Sequence, residues 1–263
     1  MPAIQVVLFD LGGTLLHYEQ PPEYSFDRLN ALGLRAMFEV AARAGVKVRD
    51  PELAIRAVAR MAAAMEARAR RARYANSAET IIRDGLEAVG IRLPPEVWEA
   101  GMAAYYNTIS SVVKPVDGNP RQVLACLAAQ GRAMGLVSNT FWSPALHDAD
   151  LERFGLLEYL PVRIYSCVAG IVKPHPNIYR QALDALDVAP PEAVFVGDKL
   201  DVDVAGPQKV GMRAVLVASP YRAEEDPEIV PDARIQSLAE LPALLEEWDR
   251  ALELAPGQQE AAG

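Results

Sequence analysis

The side chains able to do chemistry fall at the ends of apolar runs. Asp10 follows Val6, Val7, Leu8 and Phe9 and leads into the turn "LGGT". Ser138 and Asn139 close "RAMGLVSN"; Lys173 precedes Pro174 in "GIVKPHPNIY"; Asp198 ends "EAVFVGD", and Asp203 follows it in "GDKLDVDVAG". Taken singly, each has an ordinary reading. Asp10 caps the turn after a strand, Ser138 or Asn139 caps a helix, Asp201 and Asp203 are solvated residues of a first turn, and Lys173 is a surface lysine. Taken together they describe one constellation, because open α/β sheets bind ligands at the carboxyl edge of their strands.

Delivering that constellation requires a sheet. Short β-branched runs recur at "IQVVLFD", "RAMGLVSN", "EAVFVGD" and "MRAVLVAS", with a weaker one at "VRIYSCV", and segments of helical period separate most of them. This rhythm predicts an α/β fold, a doubly wound, Rossmann-like parallel sheet with helices on both faces. The four clear runs end in Asp10, Ser138 with Asn139, Asp198 and Ser219. The first strand belongs at the centre, since its acid must meet residues from later strand ends.

Residues 17–113 contain no convincing strand and read as an inserted helical domain. Leu34, Phe38 and Ala41, then Ile55, Val58, Ala62 and Met65, then Ile81, Ile82, Leu86 and Val89 follow helical spacing. Pro94 and Pro95 open a fourth helix carrying Val97, Trp98, Met102, Tyr105 and Tyr106, whose aromatic residues read as bundle core. "KPVDGNP" at 114–120 reads as the return linker. The expected division is therefore a core of residues 1–16 and 114–252, a helical cap of 17–113, and a frayed, polar tail at 253–263.

The formal charge of −9, with 35 acids against 26 bases, argues against a nucleic-acid partner and favours a small-molecule ligand. The two cysteines, Cys126 and Cys167, have no pairing motif, as suits reduced thiols in a cytoplasmic protein. No apolar run reaches the roughly 18 residues of a membrane span. The Arg-rich stretch "EARARRARYAN" at 66–76 reads as a solvated helix face, with one arginine facing the cleft as the alternative. Oligomeric state is not legible.

In residues 4–16, 135–140, 170–180 and 194–211 the sequence resembles the haloacid dehalogenase superfamily of hydrolases, with four motifs in order; the run 163–211 is similar to phosphoglycolate-phosphatase-like members. The resemblance implies a phosphatase acting on a small phosphorylated substrate. Asp10 would be the nucleophile, forming an aspartyl-phosphate. Mg²⁺ would be held by Asp10, the Gly12 carbonyl and Asp198, with Asp203 helping to fix the arrangement. Backbone N–H groups of the Gly12 to Thr14 turn, Gly13 among them, and the Thr14 hydroxyl would hold the phosphoryl oxygens together with Ser138, Asn139 and the Lys173 ammonium.

One position departs from the phosphatase pattern. Two residues after the nucleophile that pattern carries a second acid, the proton donor to the leaving group, and here stands Gly12. Positioned acid–base help is worth about 10²–10⁴ in rate. The departure implies slow turnover, leaving groups that need no proton such as acyl phosphates, or a stand-in among His17, His175 and Asp201. It also keeps open a metal-free 2-haloacid dehalogenase, a phosphonatase-like hydrolase using Lys47 for a Schiff base, and a ligand-binding relative of low turnover. Gly197 with Asp198 favours the metal-dependent reading.

Overall fold

A computed structural model describes residues 3–18, 26–72, 75–219 and 226–253. The chain enters through β1 (Val6–Phe9), turns, and makes the short strand β2 (Leu16–His17). Four helices follow, α1 (Phe26–Arg43), α2 (Pro51–Ala72), α3 (Ala78–Glu87) and α4 (Pro95–Ser110), before β3 (Lys114–Pro115) brings the chain back. Then come α5 (Pro120–Ala129), β4 (Ala133–Ser138), α6 (Pro144–Arg153), β5 (Val162–Tyr165), α7 (Ser166–Ala169) and α8 (Pro176–Ala185). After β6 (Ala193–Gly197) a π-helical turn, Leu200–Ala205, leads through α9 (Gly206–Gln208) to β7 (Arg213–Val217), β8 (Ala233–Ile235) and α10 (Leu241–Glu253).

Six strands form one parallel sheet in the order β5-β4-β1-β6-β7-β8. β1 is central because all four of its residues are buried, Val7 and Phe9 towards one apolar cluster and Val6 and Leu8 towards the other. A strand covered on both faces needs this continuous apolar run. Leu124 and Leu245, from α5 and α10, join the Val7 and Phe9 side, while Ile178 and Tyr179 of α8 join the Val6 and Leu8 side. In register, Phe9 faces Leu136 on one flank and Val196 on the other, so Asp10, Ser138 and Asp198 leave the sheet at one edge.

The inserted helices follow the expected spacing. Leu34, Phe38, Val58, Ile82 and Met102 are buried. Tyr105 is bundle core and more: its hydroxyl donates to Asn30 Oδ1 and accepts the Trp142 indole N–H at 3.1 Å, tying the bundle to the sheet domain. Trp98 is partly buried, with the Arg83 guanidinium 4.8 Å from its ring centre.

Two local expectations are corrected, and one strand is additional to those expected. "KPVDGNP" is not wholly a linker: Lys114 and Pro115 pair antiparallel with His17 and Leu16, so a two-stranded stem joins both roots of the insert. "VRIYSCV" is a strand only to Tyr165, after which Ser166–Ala169 coils into a helical turn. Ala233–Ile235 adds an edge strand that so short a run does not announce. The tail beyond Glu253 lies outside the described residues, as do Arg73 and the side chains of Arg70 and Arg71; Arg68 is exposed.

Candidate active site

Asp10 stands just past β1, with its backbone N–H still donating to Val196 O at 2.9 Å, a last rung that fixes it at the sheet edge. The turn beyond is closed by its own backbone. Gly13 N–H donates to Leu16 O at 2.9 Å and Thr14 N–H to Leu11 O at 3.3 Å, so these two amides serve the turn. Gly13 has φ +88°, and a Cβ there would collide with Asp198 Oδ2; glycine lets the turn lie against that acid. Thr14 is fully buried and its Oγ1 has no hydrogen-bond partner.

Gly12 is under no such constraint. Its φ is not in the left-handed region, and a Cβ would meet nothing nearer than Tyr18 Cδ2 at 4.0 Å. The place of the second acid is open space beside the Tyr18 ring.

β4 delivers Ser138, buried, and then Asn139. The Asn139 amide grips the backbone of the third motif: Oδ1 accepts Lys173 N–H at 2.7 Å and Nδ2 donates to Lys173 O at 3.0 Å. Lys173, whose peptide to Pro174 is cis, is itself buried. Its ammonium donates to Asp10 Oδ1 at 2.6 Å and to Asp203 Oδ1 at 2.7 Å. Burial pushes that ammonium's pKa down, but the Asp10 and Asp203 carboxylates overcome it and raise the value, so Lys173 stays charged.

The wide π-helical turn after Lys199 separates two acids of similar sequence context. Asp201 is exposed, whereas Asp203 folds back beneath the strand end and is fully buried. Its Oδ2 accepts the N–H groups of Asp198 at 3.2 Å and Lys199 at 3.0 Å. Asp203 thus fixes the turn with one oxygen and Lys173 with the other. Burial raises its pKa, against the pull of Lys173. Asp198 is fully buried, and neither of its oxygens has a partner in hydrogen-bonding geometry. Burial first, then the charges of Asp10 and Asp203, push its carboxyl up to about 7; Lys199 and the Ser219 hydroxyl offset this only in part.

Carboxylate oxygens of Asp10, Asp198 and Asp203 lie within 4.8 Å of one another. Three buried acids against one buried ammonium leave an excess of negative charge that a low-dielectric interior penalises. An all-oxygen donor set of this kind suits a hard divalent cation.

The histidines named as stand-ins for the second acid, and the lysine named for a Schiff base, fall on separate elements. His17 is on β2, paired with Lys114, and burial lowers its pKa. His175 caps α8, its Nδ1 accepting Asn177 N–H at 3.2 Å. Lys47 is exposed in the turn between α1 and α2. Sequence reasoning missed Tyr18 beside Gly12 and its partner His147, since nothing local links residues so far apart in the chain.

The two relatives first compared carry phosphatase names. A glyceraldehyde 3-phosphate phosphatase of Pyrococcus furiosus is 33% identical over 165 residues, covering 63% of this chain and 67% of the relative. A phosphoserine phosphatase of Thermus thermophilus is 34% identical over 163 residues, covering 62% of this chain and 63% of the relative. The match thus spans about two thirds of either relative's length. Among solved structures, a 2-haloacid dehalogenase from Pseudomonas syringae superposes with TM-score 0.67 at 23% identity, over 93% of this chain and 99% of that one. A HAD phosphatase from Thermococcus onnurineus does so with TM-score 0.60 at 22% identity, over 92% and 98%. At such identities the likeness is one of fold. No helix among the described residues is long and apolar enough to cross a membrane. The family model for haloacid dehalogenase-like hydrolases matches residues 4–211, from the strand that carries Asp10 to the turn that carries Asp203, and the chain belongs to that family.

Proposed function

We propose that this hydrolase is a Mg²⁺-dependent phosphomonoesterase acting on a small phosphorylated metabolite, with Asp10 as nucleophile. The observation that carries the reading is the buried Asp198 carboxylate, whose oxygens lack a partner in hydrogen-bonding geometry and lie with those of Asp10 and Asp203 within 4.8 Å of one another. Asp10 and Asp198, with the Gly12 carbonyl, would hold the cation, and Asp203 would brace them. Held there, it would offset the negative charge of the acid cluster and supply Lewis-acid attraction for a phosphoryl oxygen.

The chain's own groups do the rest. The carboxylate of Asp10 attacks phosphorus in line while Lys173 stabilises charge on the phosphoryl oxygens. The Thr14 and Ser138 hydroxyls contribute hydrogen bonds from the strand ends. Gly13 and Asn139 act by shape and by support: Gly13 admits the turn to Asp198, and Asn139 holds Lys173 in place. Water then cleaves the aspartyl-phosphate, restoring Asp10 and releasing phosphate. With Gly12 unable to supply a proton, the leaving group departs best when it needs none, as from an acyl phosphate, or draws its proton from water. The phosphatase names of the two relatives support this substrate class.

In this reading residues 1–16 and 114–252 form the hydrolytic core and 17–113 the cap that selects the substrate and excludes water. The unpaired thiols of Cys126 and Cys167 suit a reducing cytoplasm.

Carbon–halogen hydrolysis is the second reading, favoured by the vacancy at Gly12, since a halide leaves unprotonated. Asp198 weighs against it, because the all-oxygen cluster it completes with Asp10 and Asp203 suits a hard cation, which a metal-free displacement does not need. Exposed Lys47 gives Schiff-base phosphonate cleavage little support. The test is phosphate release from a panel of small phosphomonoesters and acyl phosphates with and without Mg²⁺. Magnesium-independent chloride release from 2-chloropropionate, with no phosphate release, would overturn the proposal.

A further inference from the structure

His147 is a buried titratable side chain that the chemistry above leaves idle. It projects from α6, is 2% exposed, and is engaged at both ring nitrogens. Nδ1 lies 2.8 Å from the Tyr18 hydroxyl and Nε2 lies 2.8 Å from Thr140 Oγ1. The ring stacks on Tyr165, with centroids 5.4 Å apart and planes at 20°, and meets Tyr18 edge-on at 5.1 Å and 85°. A histidine held at both ring nitrogens and stacked on one face has one orientation.

The bonds continue from there in both directions. Thr140 Oγ1 also accepts Trp142 N–H at 3.0 Å, and Thr140 exchanges two backbone bonds with one hydroxyl: its N–H donates to Ser166 Oγ and its carbonyl accepts from it, each at 2.9 Å. Asn139, the residue before, carries the two-bond grip on the Lys173 backbone, and Lys173 reaches Asp10. On the other side, Tyr18 packs beside Gly12, two residues beyond Asp10. A path that leaves Asp10 along the glycine turn therefore returns to it through Tyr18, His147, Thr140, Asn139 and Lys173.

We propose that His147 is a positioning residue: by holding Tyr18 and Thr140 together it sets the Thr140–Asn139 turn, and through it the Lys173 ammonium, against Asp10. This rests on the reading of Asp10 and Lys173 as the reacting pair. The imidazole acts as a fixed strut, neutral, one ring nitrogen donating and the other accepting, and transfers no proton. Burial holds its pKa down to about 3, and burial also lifts the Tyr18 hydroxyl well above its ordinary value, so neither group changes charge over the working range. Misplacement of a charged group by an ångström is enough to cost about 10²-fold in rate.

The test uses three substitutions in the full chain. His147→Leu keeps bulk and removes both bonds; His147→Gln keeps one acceptor and one donor on a planar amide; Thr140→Val removes the hydroxyl at the other end and leaves the imidazole alone. With p-nitrophenyl phosphate and Mg²⁺, His147→Leu is expected to lower kcat by about tenfold or more with KM within about threefold. His147→Gln is expected to restore most of that loss. Thr140→Val is expected to reproduce it, with the double variant no worse than the more damaged single one, as for two ends of one link. A second readout needs no activity: amide hydrogen exchange at Thr140 and Lys173 should quicken about tenfold or more in His147→Leu and Thr140→Val while β1 amides keep their protection. Unchanged kcat and local exchange in folded His147→Leu would overturn the proposal. So would equal acceleration across β1, which would make His147 a core residue only. Should the wild type hydrolyse no phosphoester, the functional reading fails and hydrogen exchange alone decides the positioning role. Should His147→Leu not fold, Thr140→Val carries both readouts.

Discussion

Lys173 Nζ lies 2.6 Å from Asp10 Oδ1 in a pair whose side chains are 1% and 8% exposed. The same ammonium holds Asp203. Removing one partner of a buried ion pair costs about 3–5 kcal/mol, because the other charge is left without compensation. Lys173→Met leaves two such carboxylates. Denaturant unfolding of the metal-free variant is expected to show a loss of that order, and Mg²⁺ is expected to return part of it. A variant as stable as wild type would mean that the acids find other partners.

Asp10→Asn keeps the shape of the nucleophile and removes its charge. Lys173 retains Asp203, so the fold is expected to survive, with circular dichroism and melting close to wild type. Turnover is expected to fall by about 10⁴-fold or more, as when a covalent nucleophile is removed. Hydrolysis at the wild-type rate would take Asp10 out of the chemistry.

The adjacent glycines are expected to respond oppositely. Gly12 has room for a side chain beside Tyr18, whereas a Cβ on Gly13 strikes Asp198 Oδ2. Gly12→Asp is expected to fold and to raise phosphomonoester turnover by up to about 10²–10⁴, the worth of positioned acid–base help. Gly13→Ala is expected to abolish Mg²⁺-dependent stabilisation by displacing Asp198. No gain from Gly12→Asp in a folded, Mg²⁺-binding protein would show that proton transfer is not what limits turnover.

Asp198 gives the pH dependence a sign. Its carboxyl is raised to about 7 in the folded protein, above the unfolded value near about 3.9. The stability it contributes is therefore complete below the unfolded pKa and is lost as pH rises through about 7. His147, held down to about 3, works the other way, its contribution falling as pH drops below about 6.5. Comparing Asp198→Asn with wild type isolates the acid. Without metal, the variant is expected to melt higher at pH 8, with the gap closing towards pH 4. Mg²⁺ is expected to raise the wild-type melting temperature more at pH 8 than at pH 5, since protons compete for Asp198. The reverse trend would mean that Asp198 is ionised without a cation.

Much of this was legible in the chain because buried strands announce where they stop. Val6 to Phe9 can only be a strand covered on both sides, and the first polar residue after it has to leave the sheet; the same holds for Ser138 and Asp198. The four helices of the insert are legible through Leu34, Val58, Ile82 and Met102, one buried residue on each. Partners far apart in the chain were not. Asn139 reads as a ligand contact until its amide is seen on the Lys173 backbone, and Tyr18 finds His147 only through the tertiary fold. Strands of two residues have no period to detect, so Leu16–His17 and Lys114–Pro115 stayed hidden in a turn and a linker. The Gly13 and Thr14 amides, expected to face substrate, close their own turn, a matter of backbone geometry that residue types do not specify.

Those two short strands carry an architectural consequence. Because Leu16–His17 and Lys114–Pro115 pair side by side, the roots of the intervening helices stand about one strand spacing apart, near 5 Å. The chain therefore leaves and re-enters the Asp10 side of the molecule at one place, and an insert that is longer, shorter or differently coiled between those points needs to keep only its docking contacts, such as Tyr105 to Trp142. Diversification of what such an enzyme admits can proceed in the insert by exchange of whole segments, while the hydrolytic half below keeps its registration to the ångström.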